Sequence, residues 1–437
     1  MTNSASPGSS AGQLVRSLGT GDAVVVGLGA MIGAGIFASL GPAAHAAGSG
    51  LLLGLVVAGV VAYCNATSSA RLAARYPASG GTYVYGRERL GEFWGYLAGW
   101  SFIVGKSASC AAMALTVGTY LCPGHAHAVA VASVVALTAV NYGGIQKSAW
   151  LTRVIVGVVL AVLAAVVTAA FSSGHTDTAR LAIGGDTSVT GIMQAAGLVF
   201  FAFAGYARIA TLGEEVRDPE RTIPRAIPAA LGITLLVYAT VAVAALLVLG
   251  PQQLSTATAP LTELVRVSGH EWLVPVVRVG AAVAALGSLL ALILGVSRTT
   301  LAMARDRHLP SVFAAVHPRF QVPHRAELAV GVVVAIAAAT TDLRAAIGFS
   351  SFGVLLYYAV ANAAAWTLTV DERRPPRAVP VLGLIGCLAL AFTLPQRSVL
   401  SGVLVIGCGA AIYAVRRLVM VLSRRRARGI AGRIRSK

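Results

Sequence analysis

The feature that most limits this chain is repetition. About twelve stretches, each close to 20 residues long and nearly free of charge, follow one another at roughly 22–45, 49–70, 94–121, 126–145, 149–172, 190–214, 227–249, 272–302, 326–341, 345–369, 379–395 and 398–421. A helix of about 20 apolar residues matches the hydrocarbon thickness of a bilayer. Inside lipid the backbone must satisfy its own hydrogen bonds, which each helix does within itself. The sequence therefore predicts an all-α polytopic membrane protein. With 57% hydrophobic and 11% charged residues, an ordinary soluble globule is excluded. The ninth and eleventh stretches are the shortest.

An even number of spans puts both ends of the chain on one side, and the cations say which. The segments on the side of the termini hold 27 Lys and Arg residues, and the opposite loops hold four: Arg180, Arg266, Arg344 and Arg397. By the positive-inside rule both termini are cytoplasmic, in a plasma-membrane protein. Residues 1–21, polar and rich in Gly and Ser, read as a cytoplasmic arm without the charged and apolar regions of a signal peptide. Residues 422–437 form a basic tail suited to an anionic leaflet. The net charge of +18 does not imply nucleic acid, because no aromatics interleave the tail's basic residues. Five cysteines (Cys64, Cys110, Cys122, Cys387, Cys408) form no CxxC pair, and the histidines lie mostly in loops. No HExxH occurs, and the GxSxG match GSSAG at 8–12 lies in the polar Gly/Ser-rich arm rather than in a strand–turn–helix, so neither enzyme chemistry nor a metal or cofactor is expected. Rings of like charge, the mark of a channel, are also missing.

Two spans are interrupted. VVVGLGAMIGAGIFASLG at 24–41 places Gly33 and Gly35 mid-span around Ala34. Glycine costs a helix interior about 1 kcal/mol relative to Ala. Broken backbone at membrane depth is tolerated where it lines a cavity, and there its N–H groups can hold a carboxylate. The competing reading is close helix packing. The sixth span carries Gly205 in its middle, flanked by Phe201, Phe203 and Tyr206. Breaks in the first and sixth spans are the register of two five-span repeats, 22–172 and 190–369. Five is odd, so the second is inverted. Residues 379–421 are then two extra helices. N–H groups at one break and carbonyls at the other suit the head group of an α-amino acid. Phe201, Phe203 and Tyr206 serve either as a gate over that site or as ordinary packing.

Three cations lie within spans, where an ionisable side chain is a functional-site candidate by default: Lys106, Arg208 and Arg278. Arg278 lies six residues, about 9 Å, into its helix and can snorkel outward. Lys106 lies about 18 Å deep, near the midplane. Arg208 follows the second break.

Four blocks in this order resemble the amino acid–polyamine–organocation superfamily of secondary transporters: GAMIGAGIF at 29–37, RYPASGGTYVYGRERLGEFWGYLAGW at 75–100, FFAFAGYARIATLGEEVRDPERTIPRAI at 200–227 and GVSRTTLAMARDRHLPSVFAAVHPRFQVP at 295–323. The resemblance covers nearly all of the chain up to about residue 370. It implies a LeuT-type fold of five-plus-five inverted helices with two C-terminal helices added. It also implies amino acid transport across the membrane by alternating access. By motif, the substrate carboxylate would meet the backbone at Ile32, Gly33, Ala34, Gly35 and Ile36. The ammonium would meet carbonyls near Phe201, Ala202, Ala204 and Gly205. Glu214, Glu215, Arg217 and Arg221 fall where the family has its inner gate, with Glu215 the gate candidate; a solvated charged loop is the alternative.

The chain departs from the family at two points. The cationic branch carries an acid where Ala207 stands, and some proton-coupled members carry a Lys on the fifth span, whose interior here has none. Lys106, with Arg208, is expected to supply that positive charge and to load and release H+ during the cycle. Two other roles stay open: favouring an acidic or polar substrate, or simply tying spans together. Ser288 lacks a second hydroxyl partner for a sodium site. The expected partners are thus an amino acid, H+ and membrane lipids; no feature sets the oligomeric state. Two alternative functions remain, a polyamine or organic-cation permease and a non-transporting amino acid sensor.

Overall fold

The computed structural model describes residues 18–76, 80–144, 149–184, 187–210, 216–372 and 374–435. Its helices are α1 (Thr20–Met31), α2 (Ala34–Ala38), α3 (Leu40–Ala47), α4 (Leu51–Arg75), α5 (Thr82–Leu90), α6 (Glu92–Leu121), α7 (Ala126–Tyr142), α8 (Ala149–Ser172) and α9 (Val189–Phe203). They continue as α10 (Ala207–Ala210), α11 (Pro219–Thr256), α12 (Pro260–Val267), α13 (Val274–Arg305), α14 (His324–Thr340), α15 (Leu343–Trp366), α16 (Ala378–Thr393) and α17 (Gln396–Arg435). Local chemistry sets many of the ends. Ser188 and Asp342 cap α9 and α15, accepting the N–H groups of Gly191 and Ala345 at 2.9 Å. Pro219 and Pro260 open α11 and α12, where a missing N–H costs nothing. At the far end of α6 the orphaned carbonyls of Tyr120 and Leu121 are met by Arg278, whose Nε lies 2.7 Å from the first. That is how this intramembrane cation is accommodated.

Among the described residues, ten helices are long and apolar enough to cross a membrane. The two remaining crossings expected from the sequence are α14 and α16, of 17 and 16 residues. At 1.5 Å per residue both fall slightly short of a 30 Å core. Each lies along longer neighbours, α14 on α7 and α13, α16 on α15 and α4. Two boundaries differ from expectation. The seventh span starts at Pro219 rather than 227, with Pro219 in the first turn and Pro224 and Pro228 carried inside the helix, and it turns at Gly250, whose φ of 71° precedes Pro251. The sixth span is not one helix over 190–214: α9 stops at Phe203.

Small residues let the helices approach closely, as bilayer packing requires. A Cβ on Gly353 of α15 would lie 2.8 Å from Gly105 Cα on α6. A buried polar chain fastens α4, α15 and α16. Ser68 Oγ donates to Asn362 Oδ1 at 2.7 Å, Asn362 Nδ2 to Asn65 Oδ1 at 2.6 Å, and Cys387 Sγ to the same Asn65 oxygen at 3.2 Å. The ion pairs among the described residues gather at the two ends of the bundle. One end carries Asp22–Arg153, Arg87–Asp306 and Glu372 with Arg75 and Arg89. We call it the arginine-rich face.

Candidate functional site

Both interruptions are present, and they meet. In the first crossing, α1 ends at Met31. Ile32 (φ −78°, ψ 61°) and Gly33 (φ −115°, ψ −138°) leave the helix, and α2 starts at Ala34. Ser39 keeps helical angles (φ −84°, ψ −20°), so α2 runs on through a bend into α3. The break is thus the Ile32–Gly33 pair, while Gly35 already lies inside α2. In the sixth crossing, α9 gives way to a tighter turn over Ala204–Tyr206 and then to α10. The glycines are spent on close approach. A Cβ on Gly35 would sit 2.5 Å from Ala202 Cβ; one on Gly205 would overlap the Ala30 carbonyl and lie 2.7 Å from Met31 N. Packing and interruption are therefore not rival explanations here: the two broken helices touch at their breaks.

Broken backbone leaves carbonyls to satisfy, and buried tyrosines do it. Tyr238 of α11 places its hydroxyl 2.6 Å from the Met31 carbonyl and 3.2 Å from that of Ala202, bridging both breaks. Tyr358 of α15 donates to Ala204 O at 3.3 Å, and Tyr120 of α6 to Phe37 O at 2.8 Å. Lys106 Nζ donates to the same Ala204 carbonyl at 3.2 Å. Ser288 Oγ reaches Gly29 O at 3.3 Å. Sequence reasoning had Lys106 and Ser288 but passed over the three tyrosines. Their only signal was a phenol within an apolar span, Tyr238 and Tyr358 in the interior and Tyr120 at the end of α6, where an unpaired buried hydroxyl is costly.

A cavity of about 620 Å³ runs from the breaks to the arginine-rich face. Of the residues expected at the substrate site, Phe201, Ala204 and Gly205 line it, and so do Lys106 and Arg208. Ile32, Gly33, Ala34, Gly35, Ile36 and Ala202 stand behind that lining, all buried. Of the expected gate, Phe201 is on the wall. Phe203 and Tyr206 are turned away, fully buried, with ring centroids 5.2 Å from Tyr238 and 5.0 Å from Tyr358. In this conformation they pack. Glu214 and Glu215 lie outside the described residues, as does the 1–17 part of the N-terminal arm.

The mouth of the cavity is ringed by Arg87, Arg298, Arg305 and Asp306. Asp306 Oδ2 accepts from Arg87 Nη1 at 2.5 Å and from the Tyr83 hydroxyl at 2.6 Å. Burial, reinforced by Asp306, pushes the Tyr83 phenol far up, so it remains a donor. Nearby, Glu372 accepts the Thr369 N–H at 3.0 Å and pairs with Arg89 and Arg75. Those contacts, the Thr369 bond foremost, hold its carboxyl down at about 2.

The sequence profile for the amino acid permease family matches residues 18–421. An uncharacterized transporter of Mycobacterium tuberculosis is 75% identical over 407 residues, 93% of this chain and 92% of its own length. The chloroplastic cationic amino acid transporter 7 of Arabidopsis thaliana is 29% identical, with 89% of this chain and 72% of its own covered. A branched-chain amino acid permease of Bacillus subtilis is 26% identical, with 92% of each covered.

Proposed function

Because the chain belongs to the amino acid permease family, whose members are transporters and not enzymes, we propose that it carries α-amino acids across the cytoplasmic membrane by alternating access, coupled to protons or to exchange. Both termini and the arginine-rich face are read as cytoplasmic, and the helices as two inverted repeats of five with α16 and α17 added. The observation that carries the reading is the meeting of the two broken helices at the inner end of a cavity large enough for an amino acid. The relatives named for cationic and branched-chain amino acids differ in the side chain they imply. What those substrates share is the α-amino and α-carboxyl head group. The half-helix beginning at Ala34, just behind the cavity wall in this conformation, would offer its N–H groups to the carboxylate, and the Ala204–Tyr206 turn, of which Ala204 and Gly205 line the cavity, its carbonyls to the ammonium. Phe201, on the cavity wall, is the aromatic placed to cover them.

Lys106 is assigned the coupling role. A charged ammonium on the Ala204 carbonyl holds the second break against α6. A neutral amine holds it less well, so proton loading biases which conformation the break adopts. Arg208, on the same wall, adds to the field. The test is counterflow of labelled amino acids into proteoliposomes across a pH series, comparing wild type with Lys106→Met. Wild type should exchange amino acids with a rate that varies with pH; the variant, if still active, should lose that variation. An unchanged pH profile removes Lys106 from coupling. Binding without any counterflow would make the protein a sensor.

A further inference from the structure

One carboxyl group in α14 is sealed in with nothing to hold. Glu327 is fully buried, and among the described residues neither of its oxygens has a hydrogen-bond partner. An ionised carboxylate placed so is very costly unless a cation comes to it, whereas the protonated acid is not. An ionisable residue within a span is a functional-site candidate whose partner has to be named. The fold supplies that partner. A Cβ on Gly331 would lie 2.7 Å from Thr138 Oγ1, so this face of α14 is pressed on α7. Glu327, four residues earlier, shares the face one turn nearer the arginine-rich end. Here α7 brings polar groups without charge: the buried, unpartnered hydroxyl of Thr138; Asn141, whose Nδ2 is spent on Leu290 O at 3.1 Å; and Tyr142, whose ring centroid lies 6.2 Å from that of His324. His324 begins α14, and its Nδ1 is buried without a partner. From α13 comes Arg298, the one charged group among the described residues whose field acts on Glu327; α6 and the 311–314 turn, which also pack on α14, add none. Arg298 lines the 620 Å³ cavity and joins none of the ion pairs among the described residues.

We propose that Glu327 is a proton-carrying site of the transport cycle, from which the proton leaves toward the arginine-rich face with Arg298 as the counter-charge. This rests on the transport reading above and adds a station to it. With its proton, the carboxyl is neutral and stays sealed between α7 and α14, and Arg298 remains in the cavity. When the O–H bond breaks and the proton passes to cavity water, a carboxylate is left behind. Arg298 then turns to it, and the two form a neutral, charge-assisted pair. Because Arg298 stands on the cavity wall, the state of Glu327 sets the charge that the cavity presents to a substrate. Lys106 answers to the proton at the breaks; Glu327 answers to it nearer the mouth.

The experiment compares wild type with Glu327→Gln, the isostere of the protonated acid, in proteoliposomes whose outside is made more acid than the inside. One proton per amino acid allows about tenfold accumulation for a gradient of about one pH unit. Wild type should accumulate labelled amino acid severalfold. Glu327→Gln should keep counterflow close to that of wild type, because exchange needs no net proton movement, and should lose accumulation. A second readout does not depend on activity: the infrared stretch of a protonated carboxyl, present in wild type at mildly acid pH and absent from Glu327→Gln. Should that variant not fold, Glu327→Asp, which keeps the group one methylene shorter, should shift the band instead. Accumulation by Glu327→Gln at the wild-type level, or no such band in wild type, overturns the proposal. So does accumulation driven by a sodium gradient in place of protons. Each of these leaves amino acid transport standing. If wild type shows no counterflow of any amino acid, the transport reading fails and the proposal with it.

Discussion

One phenol joins the two broken helices directly, so its loss is the sharpest test of how the site is held. Tyr238→Phe removes a single oxygen. The ring stays, still against Phe203 at 5.2 Å, and the buried apolar area is nearly unchanged. What changes is the acceptor side. The Met31 carbonyl keeps the Gly33 N–H at 2.8 Å, so one of its two lone pairs is still served. The Ala202 carbonyl loses its contact at 3.2 Å. A buried group left wholly unsatisfied costs about 1–3 kcal/mol, and hydrogen bonds measured inside membranes average about 0.6 kcal/mol with a maximum near 1.7. With one carbonyl half-served, the lower part of that range applies, about 1 kcal/mol, or roughly fivefold in an equilibrium constant. The assay is thermal melting of purified protein in detergent, with counterflow KM measured alongside. The variant should melt at a lower temperature and show a KM several-fold higher. If both stay at wild-type values, within about twofold for KM, helix packing alone sets the break geometry and the tyrosine bridge is incidental.

Two further outcomes follow from the same structure. Gly205→Ala should abolish transport, because the new methyl meets the Ala30 and Met31 backbone rather than a side chain that can swing aside; Gly232→Ala, with open space around its Cβ position, should be indistinguishable from wild type. Full transport by the first variant would show that the breaks are not in contact in the working protein. Glu372→Gln should lower the melting temperature at neutral pH. The carboxyl is held near 2 against an ordinary 4.5, so its contribution is complete above 4.5 and fades as pH falls toward 2. The gap between variant and wild type should therefore be constant from pH 7 to about 5 and narrow below that.

The crossings were legible because lipid permits so few backbone solutions: length and hydropathy alone placed twelve helices, including the two that are short. The breaks were legible because glycine in the middle of a membrane-spanning helix needs a reason, and Gly33, Gly35 and Gly205 had one. Their individual duties were not. Nothing in GAMIGAGIF says that Gly33 leaves the helix while Gly35 only admits Ala202, since that depends on which residue of another helix lies opposite. The aromatic trio around Gly205 shows the same limit. Phe201, Phe203 and Tyr206 are adjacent in sequence, but a tight turn sends one to the cavity and two to Tyr238 and Tyr358. Tyr120, Tyr238 and Tyr358 were invisible for the complementary reason. Each is remote in sequence from the carbonyl it serves, and only the fold pairs them.

That pairing bears on the coupling role proposed for Lys106. A lysine holding a buried carbonyl alone would leave an unsatisfied acceptor behind on departure, at a cost of about 1–3 kcal/mol. Ala204 O is not held alone: it has two lone pairs and two donors, Lys106 at 3.2 Å and Tyr358 at 3.3 Å. When Lys106 withdraws, the tyrosine keeps the carbonyl satisfied, so the cost of release falls from that of an orphaned group to that of one exchanged bond. An arriving substrate ammonium can take the vacated lone pair. The second donor thus makes the Lys106 contact reversible, which is what the coupling role proposed for it requires.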